Sequence, residues 1–331
     1  METSSFIESR IVMPLVGVLM RWRPIAKSNA SVWYVFSLVQ SVLVFILLWV
    51  HVRYWSWYIF LLLWAGTFFS VLCGCLARQI KHINDRTVIA NMLWLAQMAF
   101  SAQVSVLGAL HVLDVGVYGT LVVCTLTGFL ILCPHWAALV TGSLDMGAYS
   151  SPTEIRVFAT TMALLLSPLH PYVTGHWIGS LIAVLISLIT VVPIVRFVDT
   201  ARLYATTGFL FSVSFVHFLL MFLPPFGMVL WAIEDPWMRS VAPVTFAGMI
   251  VFINTQLVAR LYFDRAMNEP ARLVTFFEFL PIIGVVNCYL HIVPQPFAIA
   301  IVYVLTAFLT VVFVIRTALI VFEDSHVAAI K

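Results

Sequence analysis

The 331 residues are 63% hydrophobic and 9% charged, with a formal net charge of +3 and a mean hydropathy of +1.06. A water-soluble domain carries roughly 25% charged residues, so this composition excludes a soluble globular fold and points to an all-α, polytopic membrane helical bundle. Five cysteines (Cys73, Cys75, Cys124, Cys133 and Cys288) are an odd number set mostly in apolar stretches, and read as small buried hydrophobes rather than a disulfide framework.

From the N-terminus, residues 1–31 form an interfacial, amphipathic segment ahead of a single transmembrane domain over 32–331. Ile11–Met20 holds ten apolar residues between Arg10 and Arg21, which is too short to span. It is expected to lie in the membrane interface, with Arg21, Arg23 and Lys27 reaching lipid phosphates. Glu2, Glu8 and the lack of a small-residue cleavage site argue against a cleavable signal peptide.

Crossing the hydrocarbon core takes about 20 mostly apolar residues. Ten stretches qualify: Val32–Val52, Trp55–Leu76, Val88–Leu110, Val115–Val140, Ile155–Leu169, His176–Val195, Thr206–Ile233, Val241–Phe263, Leu273–Val293 and Phe297–Phe322. The fifth is the shortest, ended by Pro168 and Pro171, and kinks are expected at Pro224-Pro225 and Pro281. With ten crossings and the N-terminus inside, fifteen Lys and Arg fall on inner segments, and only Arg53 and Arg239 on outer loops. That positive-inside asymmetry places both termini on the positively charged face. On that side the Asn29-Ala30-Ser31 sequon is not expected to be glycosylated.

Ionisable groups inside spans are the first candidates for function. His135, His217, Glu278 and Arg316 qualify, and Asn254 and Asn287 add uncharged polarity. For each histidine the plainer reading is a hydrogen bond between helices. The loop Arg78–Arg86 (R-Q-I-K-H-I-N-D-R) is basic. It reads either as positive-inside anchoring or as a site for a phosphate-bearing headgroup or nucleotide. Cys73-Gly74-Cys75 is too sparse for a zinc site. The inverted repeats of a transporter, with paired broken helices, are not evident.

Several patches, in order along the chain, resemble the CDP-alcohol phosphotransferase family, and its choline/ethanolamine branch in particular. Ser70 to Arg78 (S-V-L-C-G-C-L-A-R) resembles the signature D-x-x-D-G-x-x-A-R, matching at Gly74, Ala77 and Arg78. Cys133 to Gly147 (C-P-H-W-A-A-L-V-T-G-S-L-D-M-G) is similar to H-W-x-x-x-x-[ST]-G-x-L-x-x-G, and Thr153-Glu154-Ile155 to the residues that follow it. Asn254 to Ala259 (N-T-Q-L-V-A) resembles N-K-L-V-V-A, and Ile315-Arg316 to Ile330-Lys331 resembles the family's ending. The resemblance covers roughly residues 50–331.

It implies a ten-helix fold that transfers a phosphoalcohol from its CDP ester to diacylglycerol, using four aspartates to hold Mg²⁺ or Mn²⁺. The first two aspartates correspond to Ser70 and Cys73. The later two correspond to Asn91 and Leu95, or in the neighbouring register to Ala90 and Trp94. Such cations need hard carboxylate oxygens, and none stands at these positions. No metal or other cofactor is therefore expected, and the expected protein is a catalytically dead member of the fold.

It would serve as a lipid-binding or structural accessory subunit of a membrane complex, for instance a respiratory assembly. Arg78, Lys81, Arg86 and His135 would hold a phospholipid headgroup, and other membrane subunits would be its partners. The alternative is an active phosphotransferase of phospholipid synthesis whose Mg²⁺ ligands come from Asp85, Asp145, Glu154 or Glu278. The mitochondrial inner membrane and the endoplasmic reticulum both suit these readings. A transporter or channel is the third reading and lacks a polar pathway.

Overall fold

The computed structural model describes residues 8–26, 30–49, 56–77, 85–113, 115–141, 151–166, 176–204, 213–235, 243–266 and 279–328. Among the described residues every regular element is helical and no strand occurs. A π-helical turn, Glu8–Val12, leads into α1 (Met13–Leu19) and α2 (Arg23–Ala26). There follow α3 (Ala30–Trp49), α4 (Ser56–Ala77), α5 (Asp85–Val112), α6 (Val117–Thr141), α7 (Pro152–Leu166) and α8 (His176–Tyr204). The remaining helices are α9 (Val213–Glu234), α10 (Pro243–Ala266), α11 (Leu280–Leu290) and α12 (Gln295–Ala328).

Each of the ten apolar stretches overlaps one of α3 to α12, of which α7 and α11 run 15 and 11 residues. Among the described residues, five helices carry segments long and apolar enough, by length and composition, to cross a membrane. These segments are Leu93–Val112, Val117–Ala138, Ser180–Thr200, Thr245–Asp264 and Gln295–Phe313. Three helices also turn a stripe of large apolar side chains outward. On α3 it runs Val32, Val35, Val39, Leu43, Ile46; on α8 Leu181, Leu185, Leu188, Val192, Val195; on α12 Phe297, Ile301, Val304, Phe308, Val311, Ile315. Stripes at helical spacing normally face a core. Turned outward over four turns, they suit hydrocarbon and not water.

The helices group into two compact units. Unit 1 comprises Met1–Leu113, Asp145–Thr174 and Thr317–Lys331; unit 2 comprises Asp114–Leu144 and Gly175–Arg316. In unit 1, α3 lies along α4, α5 along α7, and α3–α5 and α4–α7 contacts complete a four-helix group. The N-terminal segment joins this unit. Val12 and Val16 are buried against Val71, Leu72 and Leu76 of α4, and the Cys75 thiol stands 3.4 Å from the Met13 sulfur. The opposite face shows Ile11, Leu15, Val18 and Trp22, flanked by exposed Arg10, Arg21 and Arg23. This short helix thus has two apolar faces, one seated on α4 and one open.

In unit 2, α6 packs against both α8 and α10, and α9 against α11. Small residues set these approaches. A Cβ on Gly128 of α6 would overlap the Asn254 amide of α10, so that polar side chain occupies the notch left by the glycine. A Cβ on Gly284 of α11 would collide with the Trp231 ring of α9, which is fully buried and edge-on to Phe246 at 5.7 Å. The turn from α11 to α12 is closed by Asn287. Its Nδ2 donates to the Val293 carbonyl and its Oδ1 accepts from the Val293 N–H, both at 2.9 Å. This is a local structural role for one of the polar residues singled out in the sequence. His291, the C-cap of α11, takes the left-handed conformation (φ 50°) that ends the helix.

One expectation changes. Pro281 stands in the first turn of α11, where a missing N–H has no intrahelical partner to lose, and not at a mid-helix kink. Pro224 and Pro225 do lie inside α9. Glu278 lies outside the described residues, as do the side chains of His217 and Arg316.

Gly284→Ala gains helix propensity of about 1 kcal/mol but overpacks the pinned Trp231 ring, at a cost of about 1–3 kcal/mol. The variant is expected to unfold at lower temperature than the wild type in detergent. Shortening the neighbour as well, in Gly284→Ala/Trp231→Phe, should recover part of the loss.

Candidate functional site

The polar residues of unit 1 converge inside the four-helix group of α3, α4, α5 and α7. Four of them close a ring. The Ser70 hydroxyl of α4 donates to Gln97 Oε1 of α5 at 3.2 Å. Gln97 Nε2 donates to Ser37 Oγ of α3 at 2.7 Å. Ser37 donates in turn to the Gly66 carbonyl of α4 at 3.1 Å. Gly66 and Ser70 are four residues apart, on one face of the same helix, so the chain of donors returns to where it began. Trp94 Nε1 adds a bond to the Ser70 carbonyl at 3.2 Å, and the Ser70 hydroxyl also touches the Met98 sulfur.

α7 brings a charge to this ring. Arg156 is fully buried, and its Nη1 lies 3.9 Å from the Met98 sulfur. Its helix begins with an N-cap: Ser151 Oγ accepts the Glu154 N–H at 3.3 Å, and Pro152 takes the first helical position. That cap makes Thr153-Glu154-Ile155 a helix start, and it fixes the turn on which Arg156 sits. Gln40 of α3, almost fully buried, approaches the same place. A Cβ on Gly66 would overlap the Gln40 amide and stand 2.9 Å from Arg156 Nη2. The absent side chain at Gly66 therefore leaves the notch in which both polar ends meet.

Ser70 is completely buried and bonded, and Cys73 is buried with a free thiol. Leu95 is buried on α5. Asn91 and Arg86 belong to α5, but their side chains lie outside the described residues, as do Arg78 and Lys81 altogether. His135 lies in unit 2, buried on α6. A hydroxyl held by an amide, a thiol and a leucine do not fit Mg²⁺ or Mn²⁺, which demand several hard oxygen ligands. Among Asp85, Asp145, Glu154 and Glu278, only the Glu154 side chain is described, buried in the first turn of α7.

Arg156 and Arg260, both counted among inner-face charges, are buried within α7 and α10. Gln40, Gln97 and Gly66, which the search for ionisable groups passed over, build the centre of the site. Their signal was present as two glutamines inside apolar stretches.

The fold and this site define an all-helical protein with helices suited to a membrane and a hydrogen-bonded polar core in one of its two units. Neither a family model nor a curated protein sequence matches the chain.

The ring makes a quantitative expectation. Hydrogen bonds between membrane helices are worth about 0.6 kcal/mol on average and about 1.7 at most. Ser70→Ala should cost about 0.6 kcal/mol. Gln97→Leu, which removes two of the bonds, should cost about 1–2 kcal/mol. In the double variant the losses should not add, since both remove the same Ser70–Gln97 bond. Unfolding in detergent by denaturant reads all three.

Proposed function

We propose that the chain is a non-catalytic protein on a CDP-alcohol phosphotransferase-like helical scaffold, binding a membrane lipid and serving as an accessory subunit of a membrane protein complex. The observation that carries this reading is the state of Ser70. It stands at a position where the resembled family places a metal-binding aspartate, and here its hydroxyl is consumed by a ring of side chains joining three helices. The other corresponding positions supply a thiol, an amide and a leucine. Such groups cannot balance the charge of two divalent ions that would stabilise the attacking and leaving oxygens. The ten helices and the ordered sequence patches support retention of the scaffold.

The lipid-binding half rests on the polar, positively charged interior beside helices with outward apolar faces. A phospholipid or diacylglycerol suits that combination, and the basic residues Arg78, Lys81 and Arg86 are well placed in sequence to meet a headgroup. Ten crossings with both termini on the positively charged face complete the proposal, in the mitochondrial inner membrane or the endoplasmic reticulum.

Two measurements test it. Purified protein given CDP-choline or CDP-ethanolamine, diacylglycerol and Mg²⁺ is expected to release CMP no faster than a protein-free control. Release well above that control returns the protein to the enzymes, with acids outside the Ser70 ring as ligands. In gentle detergent extracts of its native membrane, the chain is expected to migrate with other subunits. Migration as a lone monomer or homodimer removes the accessory role.

A further inference from the structure

Arg156 is the least expected group in the molecule. It has no exposed surface, yet among the described residues its Nε and Nη2 have no hydrogen-bond partner, and neither does Gln40 Nε2. Its Nη1 has only the weak Met98 sulfur contact at 3.9 Å, and it forms no ion pair among the described residues. A guanidinium stays charged throughout the accessible pH range and presents its N–H groups as a flat fork. Buried without an anion, it is strongly destabilising, and the bilayer interior makes that cost no smaller.

We infer that Arg156 Nε and Nη2 and Gln40 Nε2 form a receptor for a phosphate oxyanion, with the Gln40 carbonyl oxygen, not the ligand, seated in the Gly66 notch. The shape of the donors selects the ligand. Arg156 offers Nε and Nη2 along one edge, the edge that grips two oxygens of a phosphate or carboxylate in parallel, and Gln40 adds an amide donor beside it. The glycine matters because any larger residue would fill the place where the two side chains meet. The ring of Ser37, Gln97 and Ser70 fixes α3, α4 and α5 around the receptor. Because the donors are enclosed, the ligand is held from within the bundle and exchanges slowly. The phosphate belongs either to a lipid headgroup or to the free ion. The first source rests on the lipid-binding function proposed above; the second does not.

The test is retention. Wild type, Arg156→Met and Gln40→Leu are purified through extensive detergent washing, and phosphorus and extracted lipid are quantified per chain. About one phosphate per wild-type chain is expected, lost in Arg156→Met and reduced at least severalfold in Gln40→Leu. Phosphorus recovered as a glycerophospholipid assigns a headgroup. Phosphorus recovered as inorganic phosphate assigns the free ion. Thermal unfolding of delipidated wild type with inorganic phosphate or short-chain phosphatidic acid is the second measurement, and one of the two is expected to raise Tm while leaving Arg156→Met unmoved.

Should Arg156→Met not fold, the receptor still stands or falls on Gln40→Leu and on the wild-type protein. Equal phospholipid on wild type and Gln40→Leu, with no Tm response to either probe, overturns the receptor and leaves the lipid-binding function intact. Wild type without phosphorus and without a Tm response overturns the receptor, and wild type that also retains no extractable lipid of any kind overturns both.

Discussion

Gln97 is a single amide on which the arrangement of three helices depends. Within a bilayer, lipid tails are as apolar as leucine, so burying one helix against another gains little from the hydrophobic effect. What remains is close packing and the pairing of polar groups that have nowhere else to go. Gln97 uses both ends of its carboxamide, accepting from α4 and donating to α3. The loop of bonds closes only if the three helices hold one mutual register. Ser101 and Ser105 of α5 differ: they return their hydroxyls to carbonyls of their own helix.

Glycine does the complementary work. In unit 1 Gly66 makes room for Gln40 and Arg156, in unit 2 Gly128 makes room for Asn254, and Gly284 admits Trp231. In each case a missing side chain on one helix receives a large or polar one from the next. Shape and hydrogen bonding are thereby specified at the same point. It is a packing rule suited to a medium that does not drive helices together by itself.

The helices were legible in the sequence and their interior was not, for one physical reason. Hydropathy averages over a helix, so ten apolar runs announce ten helices whatever faces they present. The face is a matter of angle, and α3 and α8 show few polar residues from which an angle could be read. Arg156 shows the consequence. Its distance from the centre of an apolar run marked it as a charge near the end of a span and said nothing of its face; the Ser151 N-cap starts the helix at Pro152, and the fifth position is buried in the bundle. The N-terminal segment carries a similar lesson. Its apolar run was visibly too short to span, and Arg10 and Arg21 marked its ends. That Val12 and Val16 would seat on α4 required the partner surface of Val71, Leu72 and Leu76 to be known. Pro281 misled in the other direction, since a proline ten residues from the end of a short helix can open it as well as bend it.

The site was half legible. The positions Ser70 and Cys73 were found through a resemblance in which they fail to match, and the structure supplies a reason for that failure to be stable. An aspartate at Ser70 would bury a further charge and lose the hydrogen that the serine donates to Gln97 Oε1. With the hydroxyl present, the ring closes and no metal is required to neutralise it. Arg156 then takes on a different meaning. A pocket that holds cations has an excess of negative charge; the interior of this four-helix group holds the buried guanidinium of Arg156 instead.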